Sequence, residues 1–193
     1  MNQFEVFSDI PEPLFEKYVQ LDKIAVDTEL HGLTMNRDQI CLVQLCDKDE
    51  EVCLVRPGPD LDCMRLKSLM ENKNVKKIFH FALTDVAFFK TSLNIVVSPF
   101  CCTKVMSKLI RTYTQSHGLK DLHAELLGVE MEKEQQQTNW ADLDLSPKQL
   151  KYAANDVLRL LEIHDNLQDM IEKRVQLQGG KTVFELNQIA QSM

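Results

Sequence analysis

The stretch IAVDTELHGL, residues 24–33, most constrains what this chain can become. An apolar run as long as a buried strand ends in two acids, Asp27 and Glu29. In an extended strand, residues i and i+2 point to the same side. The two carboxylates therefore face one place at the edge of the core, where unpaired charge is costly.

Two more segments repeat the conflict. Asp85 follows the apolar run KKIFHF and sits among Phe81, Ala82, Leu83, Val86 and Phe88. In LKYAANDVLRLL, Tyr152 and Asp156 are four residues apart, on one face of a helix, with apolar neighbours on either side. Each acid alone has a plain structural reading. Asp85 can cap a helix, Asp27 and Glu29 can lie on a solvated strand end, and Tyr152 and Asp156 can sit on a helix surface. Four carboxylates that converge repel one another unless cations lie between them. Oxygen donors with no histidine or thiolate among them suit Mg²⁺ or Mn²⁺. Two such ions are a known clamp for phosphodiester displacement.

The surrounding pattern is a mixed sheet covered by helices, an α/β fold with a helical C-terminal half. KIAVDTEL, RDQICLVQLCD, EEVCLVRPG and VKKIFHF read as strands. IPEPLFEKYVQL, DLDCMRLKSLMENK, LTDVAFFKTSL, CCTKVMSKLIRTYT and SHGLKDLHAELL read as helices. From Ser146-Pro147, an N-cap and N1 pair, the apolar spacing of Leu150, Ala153, Ala154, Val157, Leu160 and Leu161 predicts one long helix to about residue 177. The length of 193 residues fits one domain, 1–193, with no repeat or linker.

No apolar run approaches a membrane span, and the N-terminus lacks the basic and apolar regions of a signal peptide. Both point to a cytoplasmic protein without a membrane partner. The six cysteines form no CxxC pair and read as buried free thiols. A net charge of −7 argues against broad binding of long nucleic acid. It leaves room for a small anion held at a local basic spot.

Asp27-x-Glu29, Asp85 and Tyr152-x-x-x-Asp156 resemble the three exonuclease motifs of the DEDD superfamily, tyrosine subgroup, which includes ribonuclease D. His80, five residues before Asp85, and the helix QLKYAANDVLRL strengthen the likeness. FHFALTDVAFF, CTKVMSKLIRTYTQSHGLKDL and KEQQQTNWADLDLSPKQLKYAANDVL are similar to the NrnC-type oligoribonucleases, over residues of about 20 to 165. Phe81 replaces the Asn usual in ribonuclease D, and the Arg-Pro after the tryptophan is missing. Both departures fit the NrnC-type branch, as does the lack of a ribonuclease D C-terminal domain within these residues.

The resemblance implies a ribonuclease H-like fold, a five-stranded mixed sheet flanked by helices. It also implies a 3′→5′ exoribonuclease acting on very short RNA, dinucleotides above all. Asp27, Glu29, Asp85 and Asp156 would hold two divalent cations, Mg²⁺ or Mn²⁺, and Tyr152 would orient the attacking water. Leu33 matches a position where relatives wedge an apolar side chain between bases. His80 and Phe81 are candidates to stack on a base, although His80 can equally make a buried hydrogen bond. Trp140 either stacks or packs. The branch also implies a homo-oligomer, an octameric ring.

Residues 101–120 carry four cations and no acid. Lys104, Lys108 and Arg111 fall on one helical face. They read either as a solvated face or as a clamp for a terminal phosphate, which would gauge substrate length. Gln135, with Gln136 and Gln137, would add polar contacts. Two rivals stand beside this reading: an exonuclease trimming longer RNA or DNA, and a non-catalytic nucleic-acid-binding scaffold. The intact set of four carboxylates and the tyrosine argues against the scaffold.

Overall fold

The computed structural model describes residues 4–58, 62–131, 138–142 and 144–177. Its first strand, β1 (Val6–Phe7), is followed by α1 (Glu12–Tyr18), β2 (Lys23–Leu30), β3 (Ile40–Cys46) and β4 (Val52–Val55). Then come α2 (Met64–Glu71), β5 (Lys76–Phe79), α3 (Leu83–Leu93), β6 (Phe100–Cys102) and α4 (Thr103–Ile110). The chain continues through α5 (Leu119–Leu122), a π-helical turn (His123–Leu127), α6 (Pro147–Leu158) and α7 (Leu160–Leu177).

The six strands form one mixed sheet in the order β1-β4-β3-β2-β5-β6. The β2–β3 and β3–β4 pairs are antiparallel, and the other three are parallel. Alternation along the strands divides the core in two. Ile24, Val26, Val43, Leu45, Cys53, Val55 and Phe79 enter the cluster that also contains Leu66, Phe88 and Phe89 of α2 and α3. Ala25, Cys46 and Ile78 face the other way, towards Val157, Leu160 and Ile163 of α6 and α7. Leu42 and Leu54 pack there with Ala153 and Trp140. Asp27 and Glu29 share the phase of Ala25, so both lie on the α6 face.

Three elements differ from the sequence expectation. The two-residue β1 and three-residue β6 are too short to show a period, and β6 lies in a segment that reads as helix. They make the sheet six-stranded rather than five-stranded. The long C-terminal helix is two helices, broken at Arg159, with φ −119° and ψ 15°. Neither Pro nor Gly marks the break. The packing changes at the break: α6 lies on β2, β3 and β4, whereas α7 lies mainly on α4, with β5, β2 and the π-helical turn beside it. Among the described residues, no helix is long and apolar enough to cross a membrane.

Candidate active site

Strand β2 carries Asp27 and Glu29 to its C-terminal end, where its register with β3 shifts between Glu29 and Leu30. Helix α6 lies over that end. Its start is fixed by Ser146, whose hydroxyl accepts from the Gln149 backbone N–H, while the Gln149 side chain accepts from the Ser146 backbone. Tyr152 and Asp156 follow on the face turned to β2. One carboxylate oxygen from each of Asp27, Glu29 and Asp156 lies within 4.8 Å of the other two.

Asp85 reaches the same cavity from the first turn of α3. It does not cap the helix, because the N-cap is Ala82 and no side chain bonds there. Its Oδ1 instead accepts the hydroxyl of Thr28 at 2.6 Å. Thr28 is the β2 residue between the two acids, so one strand sets three of the four carboxylates.

Burial raises the pKa of all four acids. After burial, the charges of Asp85, Asp156 and Glu29 push Asp27 up further. Glu29 is driven to about 9 by burial and then by Asp156 and Asp85. The Tyr152 hydroxyl partly offsets the rise at Asp156. Tyr152 itself is raised by burial and then by the carboxylates around it, so it keeps its proton at neutral pH. Clustered hard oxygen donors that resist ionisation side by side match what a divalent cation relieves. The donor set therefore fits Mg²⁺ or Mn²⁺.

These acids floor a cavity of about 530 Å³. Leu33, 76% exposed, stands at its wall with His80, Phe81 and Lys104. The Lys104 ammonium lies 4.2 Å from the centroid of the Phe81 ring, a cation–π contact. Phe81 has φ 70°, a left-handed conformation rare for a bulky residue, and its ring is half exposed to the cavity. His80 Nδ1 lies 2.9 Å from the Thr103 hydroxyl. Burial and then the charge of Lys104 lower its pKa to about 4, so the ring is neutral.

Three candidate contacts are placed elsewhere. Arg111 is no phosphate clamp: it is fully buried, paired with Glu125, and donates to the Ser107 hydroxyl at 2.8 Å and the Ser116 carbonyl at 2.7 Å. Helix α4 ends at Ile110, so Arg111 leaves the face shared by Lys104 and Lys108 and turns inward. Lys108 is exposed and does not line the cavity. Of the two roles open to Trp140, the structure gives it packing: it is buried against Tyr152, with ring centroids 6.2 Å apart. Gln135, Gln136 and Gln137 lie outside the described residues.

Thr28, Thr84 and Lys120 line the cavity without having been singled out from the sequence. Thr28 lies inside the first acidic motif, and that position is the signal that points to it. Lys120 belongs to the cation-rich segment 101–120 but lies beyond the helical face that drew attention to it.

Comparison with known proteins gives this arrangement its context. The family described as 3′-5′ exonuclease matches residues 7–172. The chain belongs to this family. Among solved structures, Brucella melitensis NrnC with bound Mg²⁺ is 34% identical, with a TM-score of 0.80, covering 94% of this chain and 85% of that one. Brucella melitensis NrnC bound to pGG is 33% identical, with a TM-score of 0.82 and coverage of 94% and 89%. These neighbours place the chain in the NrnC-type branch, with its ribonuclease H-like fold. Ribonuclease D of Haemophilus influenzae is 32% identical over 154 residues, which are 80% of this chain and 38% of that relative. The chain thus spans about two-fifths of the length of the curated relatives it matches.

Proposed function

We propose that this exonuclease-family chain is a divalent-metal-dependent 3′→5′ exoribonuclease that cleaves very short RNA, dinucleotides above all, to nucleoside 5′-monophosphates. The observation that carries the reading is the meeting of Asp27, Glu29 and Asp156 within 4.8 Å on the floor of a cavity that Asp85 also lines. These four carboxylates would hold two cations, Mg²⁺ or Mn²⁺. Bound there, the cations would lower the pKa of a water and offset negative charge on the phosphodiester.

The chain's own groups do the rest. The Tyr152 hydroxyl, protonated and beside Asp156, orients the water by hydrogen bonding. Thr28 holds Asp85 in place. Leu33, His80 and Phe81 offer apolar and aromatic surface to bases. Lys104 and Lys120 supply positive charge in the cavity wall of a protein whose net charge is −7. A cavity of about 530 Å³ is of a size that takes a small ligand. Preference for short RNA is supported by the pGG held by Brucella NrnC. The whole chain acts as one exonuclease domain, and assembly into a homo-oligomeric ring belongs to the same proposal.

The test uses 5′-phosphorylated RNAs of two to seven nucleotides, incubated with catalytic amounts of enzyme and Mg²⁺ or Mn²⁺. The dinucleotide is expected to disappear far faster than the others, and Asp27→Ala is expected to be inert with its fold intact. Stepwise shortening of all lengths at similar rates would assign the chain to general trimming instead. Turnover surviving in Asp27→Ala would overturn the site.

A further inference from the structure

Beneath the carboxylate floor lies a polar side chain that the proposed reaction leaves unused. Gln44 sits in the middle of β3, in the otherwise apolar run Ile-Cys-Leu-Val-Gln-Leu-Cys. It is fully buried, and neither Oε1 nor Nε2 has a hydrogen-bond partner. A buried amide left unpaired is costly, whereas an apolar residue of the same shape avoids that cost. Its place therefore calls for a partner.

The sheet register identifies one. Gln44 is the direct cross-strand partner of Asp27 in the antiparallel β2–β3 ladder. Directly opposed residues point to the same face, with Cβ atoms roughly 4.5–5.5 Å apart. On that face Glu29 is a diagonal neighbour, since it pairs with Leu42 two residues along. Its neighbours along and across the ladder on that face are otherwise apolar: Leu42 and Cys46 on its own strand and Leu54 opposite it on β4. The ladder itself brings the Asp27 carboxylate alongside the amide, with Glu29 on the diagonal.

We infer that Gln44 is a positioning residue for the first acidic motif, its side-chain N–H donating to the Asp27 carboxylate when that carboxylate holds a cation. A carboxylate that gives one oxygen to an ion has lone pairs left to satisfy, and donors behind it fix its rotamer. Gln44 is neutral, so it supplies that donor without competing with the ion for the site. The inference rests on the metal-holding role proposed for Asp27.

Calorimetric titration of Mn²⁺ into the full chain, beside thermal unfolding of the metal-free protein, tests it. Gln44→Met keeps the shape and removes the amide. Its Mn²⁺ affinity is expected to fall about 10- to 100-fold, while its metal-free melting temperature stays level or rises. Affinity within twofold of wild type would overturn the inference and leave the proposed function standing. A wild type that binds no Mn²⁺ would overturn the metal reading, and this inference with it. A second measurement needs no variant: the Gln44 side-chain amide resonances of the wild type are expected to shift on adding Mg²⁺. Resonances that do not move would also overturn the role, even if Gln44→Met fails to fold.

Discussion

Thr28 donates its hydroxyl to Asp85 Oδ1 at 2.6 Å, tying α3 to the strand that carries Asp27 and Glu29. The bond lies beside the cavity that all four carboxylates line. Thr28→Val removes the donor with little change in volume. It is expected to lower kcat/KM on a dinucleotide about 10-fold or more, and Thr28→Ser is expected to restore most of it. Thermal unfolding checks that the valine variant is folded. Loss in Thr28→Ser with activity kept in Thr28→Val would point to packing of the threonine methyl rather than to the bond.

The clustered carboxylates make the metal-free protein carry repulsion that a ligand can release. Adding Mg²⁺ is expected to raise the melting temperature in a concentration-dependent way, by about 2.7 kcal/mol of stability at a hundred times Kd. Asp27→Asn removes one of the mutually repelling acids beside Asp85, Asp156 and Glu29. It is expected to be more stable than wild type without metal and to respond weakly to Mg²⁺. Differential scanning calorimetry with and without EDTA distinguishes the two states. An identical Mg²⁺ response in wild type and variant would remove Asp27 from the ion site.

Much of this site can be read from the chain because its signals are local. The apolar run into Asp27 and Glu29 reads as a strand over Lys23–Leu30, and β2 has those bounds. The periodicity from Leu83 to Leu93 is that of α3, and Ser146-Pro147 starts α6 as a cap should. What escapes the sequence is set by distant partners. Arg111 continues a cationic face in sequence, yet Glu125, fourteen residues on, draws it inside. The break at Arg159 is a choice between two packing surfaces and leaves no breaker residue behind. Gln44 becomes informative only once the ladder puts it opposite Asp27. In sequence it is one polar residue in a strand.

The placement of Arg111 separates a structural role from a ligand role. Its guanidinium ties the end of α4 to Ser116 and to Glu125 in the π-helical turn. Between them lies the segment bearing Lys120, which lines the cavity. Arg111→Ala leaves the Ser116 carbonyl and Ser107 hydroxyl without this donor. It is expected to cost roughly 2–4 kcal/mol of stability by urea unfolding, the half-exposed Glu125 keeping the loss from being larger. Lys104→Ala is expected to do the reverse: near-wild-type stability, with a raised KM for the 5′-phosphorylated dinucleotide. A KM that rises in Arg111→Ala at unchanged stability would restore the clamp reading.

His80 gives the fold a pH dependence of known sign. Its folded pKa is lowered to about 4 by burial and then by Lys104, against about 6.5 in an unfolded chain. Between these values the unfolded state binds the proton and the folded state does not, so acid favours unfolding. The contribution is fully present above pH 6.5 and is lost as the pH falls towards 4, on the order of 3 kcal/mol in total. Below pH 4 both states are protonated, and this residue causes no further loss. His80→Gln keeps a polar group beside Thr103 without a titrating ring. Its unfolding free energy is expected to fall less steeply than that of wild type between pH 6.5 and 4. Denaturant titrations at half-unit pH steps measure the difference, and parallel curves for the two proteins would show that His80 is solvated rather than held neutral.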